Sequence, residues 1–427
     1  MSLRPYSAFF IATISLWGWP VDQSWAQRKK QAPPPTGVEV CTYASYRCIT
    51  NAFEEGRSRR PQRTPPPEFP DALLEAHDPK GKRQVLFATN RAITNAQLLP
   101  QLPAIYSLFS EKLSTEIVWG WIRFTYPLDR QPGDQNYPRF EGRDNMPNQF
   151  TDIVAEAHGR IYASTSFIAE IARMADLGDR PDGLLYIHGM NNRFIEAGIT
   201  TAQLAVDLKF PGPILFFSWP SNDNLGEPVT DYHYAQRMLV ESVSDLKDAW
   251  DVLATTGRPL NVIAHSLGAK LFAATLSVDQ GTPVTAPRFR ARSAFLTAPA
   301  IGTHSFNNNY RDPLLADGGV ITIYCSPDDK ILPQSEAEDG EPSIGLCRGG
   351  VTLTEPSGVV SLRRDDLGEG LLQNMTLKNV TLRFPWHYHF AINGTVLGDI
   401  EEALNTLRGP RSRRGMSFGN PYWALKR

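Results

Sequence analysis

Seven short apolar runs, separated by stretches with helical spacing, constrain this chain more than any other feature. They are VLFAT (Val85–Thr89), WGWIRF (Trp119–Phe124), LLYIH (Leu184–His188), ILFFSW (Ile214–Trp219), LNVIAH (Leu260–His265), SAFLTA (Ser293–Ala298) and VITIYC (Val320–Cys325). Several are apolar on both faces. A strand without a polar face must be covered from both sides, which is the condition inside a parallel sheet. Between the runs, Val243, Leu246, Trp250 and Leu253 recur at steps of three and four, one face of a helix, and Leu267–Leu276 forms another. The alternation predicts an α/β fold with a mostly parallel central sheet and helices on both faces.

The flanks differ from this pattern. Residues 1–26 carry the parts of a secretory signal: Arg4, an apolar stretch from Ala8 to Trp19, and the small-x-small site Ser24-Trp25-Ala26. The stretch is short for a spanning helix, which needs roughly 20 residues. Export to the periplasm or medium is therefore expected, with an uncleaved anchor as the alternative. Residues 27–80 include QRKKQAPPPTG and GRSRRPQRTPPPEFPD and read as a flexible Pro/Arg-rich lead-in. The folded domain is expected over 81–407, and a basic tail over 408–427, outside the core. The basic termini could touch an anionic surface weakly, although such runs are usually only solvated. A formal net charge of -2 leaves no global basic field, so nucleic acid is not an expected partner. Four cysteines in an exported chain imply two disulfides; local pairs, Cys41–Cys48 and Cys325–Cys347, are one of three arrangements.

The run Leu260–His265 stops at Ser266, and a helix begins at once. In such a strand-to-helix turn the serine takes a strained conformation that lifts its hydroxyl above the sheet. Small residues are needed two places to either side, and here they are Ala264 and Gly268. A nucleophile there needs two amides aimed at the developing oxyanion. Leu267, next in sequence, supplies one; Met190, after the strand that ends at His188-Gly189, is the candidate for the other. The acid and base should follow in the order Asp or Glu, then His. Asp328 and Asp329 stand directly beyond Val320–Cys325, and sequence order favours neither. Of eight histidines only His387 and His389 come later, so both remain open as the base.

Taken together, VLFATNR, YIHGMNNRF, FFSWPSN, IAHSLGA, YCSPDDKIL and HYHF resemble a bacterial α/β-hydrolase family of uncharacterised function, in the family's order, over about residues 81–407. The resemblance implies an esterase- or lipase-like serine hydrolase with the α/β-hydrolase fold. Its Ser-x-x-Asp pattern falls on Ser326–Asp329 and selects Asp329, and its His-x-x-aromatic pattern falls on His387–Phe390 and selects His387. Two departures stand out. Ala300 follows Pro299 where the family often has Asp, and Trp386 precedes the base where a small residue is usual.

The expected chemistry is ester hydrolysis of a small molecule by Ser266, Asp329 and His387, with Met190 and Leu267 as oxyanion donors and no cofactor. Two rival readings are set beside it. His387-x-His389 with Asp328 and Asp329 could hold a catalytic metal. Alternatively, the fold could bind a ligand without turning it over. The aromatic stretch Trp119–Tyr126 would suit an apolar acyl group, but aromatics are more often core than pocket.

Overall fold

The computed structural model describes residues 44–59, 80–94, 109–133, 154–162, 164–178, 180–221, 228–278, 291–317, 319–348, 350–351, 353–363, 387–419 and 422–425. The expected signal segment and Trp386 lie outside these residues.

In chain order the main elements are α1 (Tyr46–Arg59), β1 (Lys82–Ile93), β2 (Phe109–Thr125), β3 (Val154–Tyr162), α2 (Ser164–Leu177), β4 (Gly183–Ile187) and α3 (Phe194–Asp207). There follow β5 (Ile214–Ser218), α4 (Pro228–Ala254), β6 (Leu260–His265), α5 (Leu267–Val278), β7 (Ala291–Thr297), α6 (Arg311–Asp317) and β8 (Val320–Cys325). The last are α7 (Leu332–Asp339), β9 (Gly358–Ser361), α8 (His389–Ile392), α9 (Gly394–Thr406), β10 (Met416–Gly419) and β11 (Tyr422–Leu425). The strands form one sheet in the order β10-β11-β9-β8-β7-β6-β4-β5-β1-β2-β3. From β11 to β1 every neighbouring pair is parallel, and only the pairs β1–β2, β2–β3 and β10–β11 are antiparallel.

Side-chain alternation explains why these strands read as apolar throughout. Leu86, Leu185, Leu215 and Val262 face a core built with Leu239, Val243 and Trp250 of α4 and Leu271 and Phe272 of α5. Their neighbours Val85, Leu184, Ile214 and Ile263 face a second core with Ala197 and Leu204 of α3 and Val396 and Ile400 of α9. The sheet is thus covered on both faces, as expected from the sequence. The aromatic stretch in β2 is core: Trp119, Trp121 and Phe124 are all buried.

The chain passes from β4 to β5 on one side and then back over β4 to β6 on the other. Such a reversal separates the loops that leave the strands and opens a crevice at their carboxyl ends. The loops after β4 and β6 meet there.

Both flanks need correction. The stretch expected to be a flexible lead-in contains α1, whose Cys48, Ile49 and Phe53 are buried against the domain. The Ala44 amide donates to Oε1 of buried Gln236 at 3.1 Å, just ahead of the helix. The Ile49–Phe53 spacing is one helical turn, too brief a signal to stand out among the Pro- and Arg-rich runs beside it. The tail expected outside the core instead adds two strands to the sheet, with β11 pairing parallel to β9 through Trp423 and Val360. Tyr422 and Leu425 are buried, and Arg413 lies buried 3.2 Å from Asp399 of α9. A polar-looking tail can complete a sheet because an edge strand needs only one covered face.

The expected Cys325–Cys347 disulfide is present, with Cα atoms 5.2 Å apart. Cys48 is also disulfide-bonded, while Cys41, its expected partner, lies outside the described residues. Among the described residues no helix is long and apolar enough to cross a membrane.

Candidate active site

Ser266 follows the last residue of β6 and has φ +54°, the left-handed region that a side-chain-bearing residue occupies only at a cost of about 1–3 kcal/mol. Hydrogen bonds hold it there. Its amide donates to the Thr297 carbonyl at 3.0 Å, and its own carbonyl accepts from the amides of Ala269 and Ala300 at 3.0 and 3.2 Å. The small neighbours that the sequence demanded have visible reasons. A Cβ on Gly268 would lie 2.3 Å from the His188 carbonyl oxygen, so only glycine lets α5 press against the end of β4.

The loop after β4 runs against the serine. A Cβ on Gly189 would stand 2.9 Å from the Ser266 Cβ. Within this loop the Gly189–Met190 peptide is oriented by His188, whose Nδ1 lies 2.8 Å from the Gly189 carbonyl oxygen. Nε2 of the same ring accepts the Trp219 amide at 3.1 Å, so the proton resides on Nδ1. Burial, and then the Arg91 charge, push His188 down to about 3, which keeps the ring neutral, and the two hydrogen bonds fix its tautomer. Carbonyl and N–H of one trans peptide point in opposite directions. Tying down the Gly189 carbonyl therefore aims the Met190 N–H. Among the described residues neither the Met190 nor the Leu267 amide donates to a protein acceptor.

Sequence reasoning gave no role to Arg91, the arginine of the Thr-Asn-Arg run, and the structure shows what it does. It is wholly buried. Its guanidinium donates to Ser218 Oγ at 2.8 Å, to the Asn192 and Trp219 carbonyls at 2.6 Å each, and to the Glu111 carboxylate. One side chain on β1 thus ties the loop after β4 to the loop after β5, and His188 stacks on Trp219 between them. An arginine at the end of a buried strand is the signal that points to such a role. Arg91→Met should cost about 3–5 kcal/mol in stability, because it leaves the partly buried Glu111 carboxylate and two carbonyls without their cation. Denaturant titration of the variant beside wild type measures the loss.

The candidate acid and base are brought together from distant parts of the chain. Nδ1 of His387 lies 2.7 Å from Oδ2 of Asp329. The other oxygen, Oδ1, accepts the amides of Ile331 and Leu332 at 2.8 and 3.2 Å. Burial raises the Asp329 carboxyl, but the charge and hydrogen bond of His387 and these two amides more than offset it, leaving it below the ordinary carboxylate range. Of the two aspartates left open by sequence order, Asp329 is buried against the imidazole, and Asp328 is half-buried with its amide on Ser326 Oγ. Of the two histidines, His387 faces Asp329. His389 is buried at the start of α8, its ring centroid 6.4 Å from that of Tyr324. The Cys325–Cys347 bridge closes the loop that carries Asp329.

Among the described residues no group of three or more His, Cys, Asp or Glu side chains is placed to hold a metal ion. The pair considered as ligands is divided instead, with His387 on Asp329 and His389 within α8.

Residues 165–347 match a family described as alpha/beta hydrolase of unknown function. The match takes in Gly189, Ser266 and Asp329 but begins after Arg91 and ends before His387. Among solved structures, a lipase-esterase related protein from Clostridium acetobutylicum ATCC 824 is similar at 10% identity, over 53% of this chain and 95% of that one, with a TM-score of 0.29. Likeness at that score decides nothing about this chain. No curated protein matches it.

Proposed function

We propose that this chain, an α/β hydrolase of a family whose function is uncharacterised, hydrolyses carboxylic esters through an acyl-enzyme on Ser266. The observation that carries the reading is the buried Asp329–His387 hydrogen bond at 2.7 Å, made by groups that stand in the order the chemistry requires after a serine on a left-handed turn. A carboxylate on Nδ1 leaves Nε2 of His387 free of its proton and able to take one. In the proposed reaction Nε2 accepts the Ser266 hydroxyl proton as Oγ attacks the ester carbonyl. The Met190 and Leu267 amides then hold the oxyanion. His387 returns the proton to the leaving alkoxide, and water repeats the sequence on the acyl-enzyme. Asp329 stays ionised throughout, orienting the imidazole and stabilising its charged form.

Export of the protein, read from residues 1–26, belongs to the same proposal, and the Cys325–Cys347 disulfide supports it, since such bonds persist in oxidising compartments.

The test is intact-protein mass spectrometry after exposure to a fluorophosphonate. One covalent adduct mapped to Ser266 is the expected result. Folded protein that takes no label, or takes it elsewhere, overturns the reading. Gly189→Ala should lose on the order of 10²-fold in ester turnover while binding the ester normally. Its methyl group must push the loop away from Ser266 and with it the Met190 amide, and one lost oxyanion donor costs about 3 kcal/mol. The separation of kcat from KM checks this expectation.

A further inference from the structure

His265 ends β6, directly before the serine, and its relations reach past its own strand. It is buried, and its Nε2 lies 3.0 Å from the His387 carbonyl oxygen. A carbonyl only accepts, so Nε2 carries the proton and donates it. Nδ1 is buried without a hydrogen-bond partner, and a Cβ on Gly189 would come within 3.1 Å of it. The ring also packs on the base segment, with centroids 4.7 Å from His387, 4.7 Å from Tyr388 and 4.8 Å from Phe390.

We infer that His265 is a positioning residue, whose Nε2–H holds the backbone of His387 and so sets where the general base stands relative to the adjacent nucleophile. The inference rests on the serine-hydrolase reading. Ring contacts alone would account for an aromatic side chain at this place. They do not account for a polar ring in a buried apolar setting, with one nitrogen on a carbonyl and the other against a glycine. A neutral imidazole fits both sides: one N–H meets the carbonyl, and no second N–H has to be buried against Gly189. Burial, and then the neighbouring His387, push His265 well below the ordinary histidine value, so the neutral ring persists at working pH. His387 is joined to Asp329 by its side chain and to His265 by its backbone. Two attachments define the direction of an imidazole where one leaves it free to swing.

The experiment compares second-order rates of fluorophosphonate labelling at Ser266 in wild type, His265→Phe and His265→Gln, each shown to be folded by circular dichroism. Phe keeps the ring and loses the N–H, whereas the Gln amide nitrogen reaches about as far as Nε2. The Phe variant is expected to label on the order of 10²-fold more slowly, the scale of a misplaced catalytic group, with Gln restoring most of the rate. A Phe variant that labels at the wild-type rate, or a Gln variant as slow as Phe, overturns the inference. If His265→Phe does not fold, His265→Gln is set against His265→Asn, whose shorter amide cannot reach the carbonyl. Fast Gln and slow Asn support the inference, and equal rates overturn it. Wild-type protein that takes no label instead overturns the underlying reading, and the inference with it.

Discussion

Ser266→Ala is expected to abolish fluorophosphonate labelling and to lower kcat for a simple ester on the order of 10⁶-fold, with the residual rate supplied by the oxyanion amides alone. The size of the effect follows from the proposed division of labour. Asp329 and His387 act only through the serine hydroxyl, so removing that oxygen removes all three contributions together. Stability should move the other way in a companion variant. Ser266 sits at φ +54°, a conformation glycine adopts freely, so Ser266→Gly should be as inactive as the alanine variant yet more stable by about 1 kcal/mol. Ester kinetics and denaturant titration on the same samples separate the two effects. A serine variant that retained ester turnover would overturn the serine reading and leave the metal reading in its place.

Asp329→Asn is the second large effect, on the order of 10⁴-fold in kcat. Asparagine can keep its oxygen on the Ile331 and Leu332 amides, so the loop should hold its shape. Its NH₂ then faces Nδ1 of His387 and drives the imidazole proton to Nε2, where the ring can no longer accept from Ser266. Asp328→Asn, one residue earlier and half-buried, should change turnover little, and the contrast between the two tests the assignment. The substitution should also alter acid stability. Because the Asp329 carboxyl titrates below the ordinary carboxylate value of about 4, its contribution is complete above that pH and is lost as the pH falls through the lowered value. The Asn variant lacks this loss, so the gap in stability between it and wild type should narrow on acidification.

How far the sequence could be read depended on the kind of interaction. The buried strands were legible because each is apolar over its covered faces: the runs Leu260–His265 and Val320–Cys325 coincide with β6 and β8, and the others overlap the parallel strands β1, β4, β5 and β7 and the antiparallel β2. The elbow was legible for a similar reason, since Ala264 and Gly268 are imposed by backbone contacts within one turn. Less was visible at the edges. β9 and the two strands of the C-terminal hairpin are only four residues each, and the polar residues Ser110, Glu111 and Lys112 of β2 gave no apolar run to follow. The expected lead-in and tail were judged by composition, and composition does not register a single helical turn such as Ile49–Phe53 or an edge strand such as Tyr422–Leu425.

The site divides in the same way. The order of residues along the chain limited the base to two histidines and the acid to two aspartates, because the fold permits only late strands to supply them. Choosing Asp329 and His387 from the residues alone was beyond that reasoning, and the family resemblance made the selection. Only the tertiary structure shows the geometry behind it. Asp329 and His387 are 58 residues apart, and whether a carboxylate meets an imidazole is decided by how β8 and the segment before α8 pack. The brace from Arg91 through Trp219 to His188, and the bond from His265 to the His387 carbonyl, are of the same kind. Sequence by itself determined the alternating sheet, the turn at Ser266 and the amide that follows it, since each depends on neighbours within a few residues. Partners separated by tens or hundreds of residues are fixed by packing, and packing energy has no local periodicity to read.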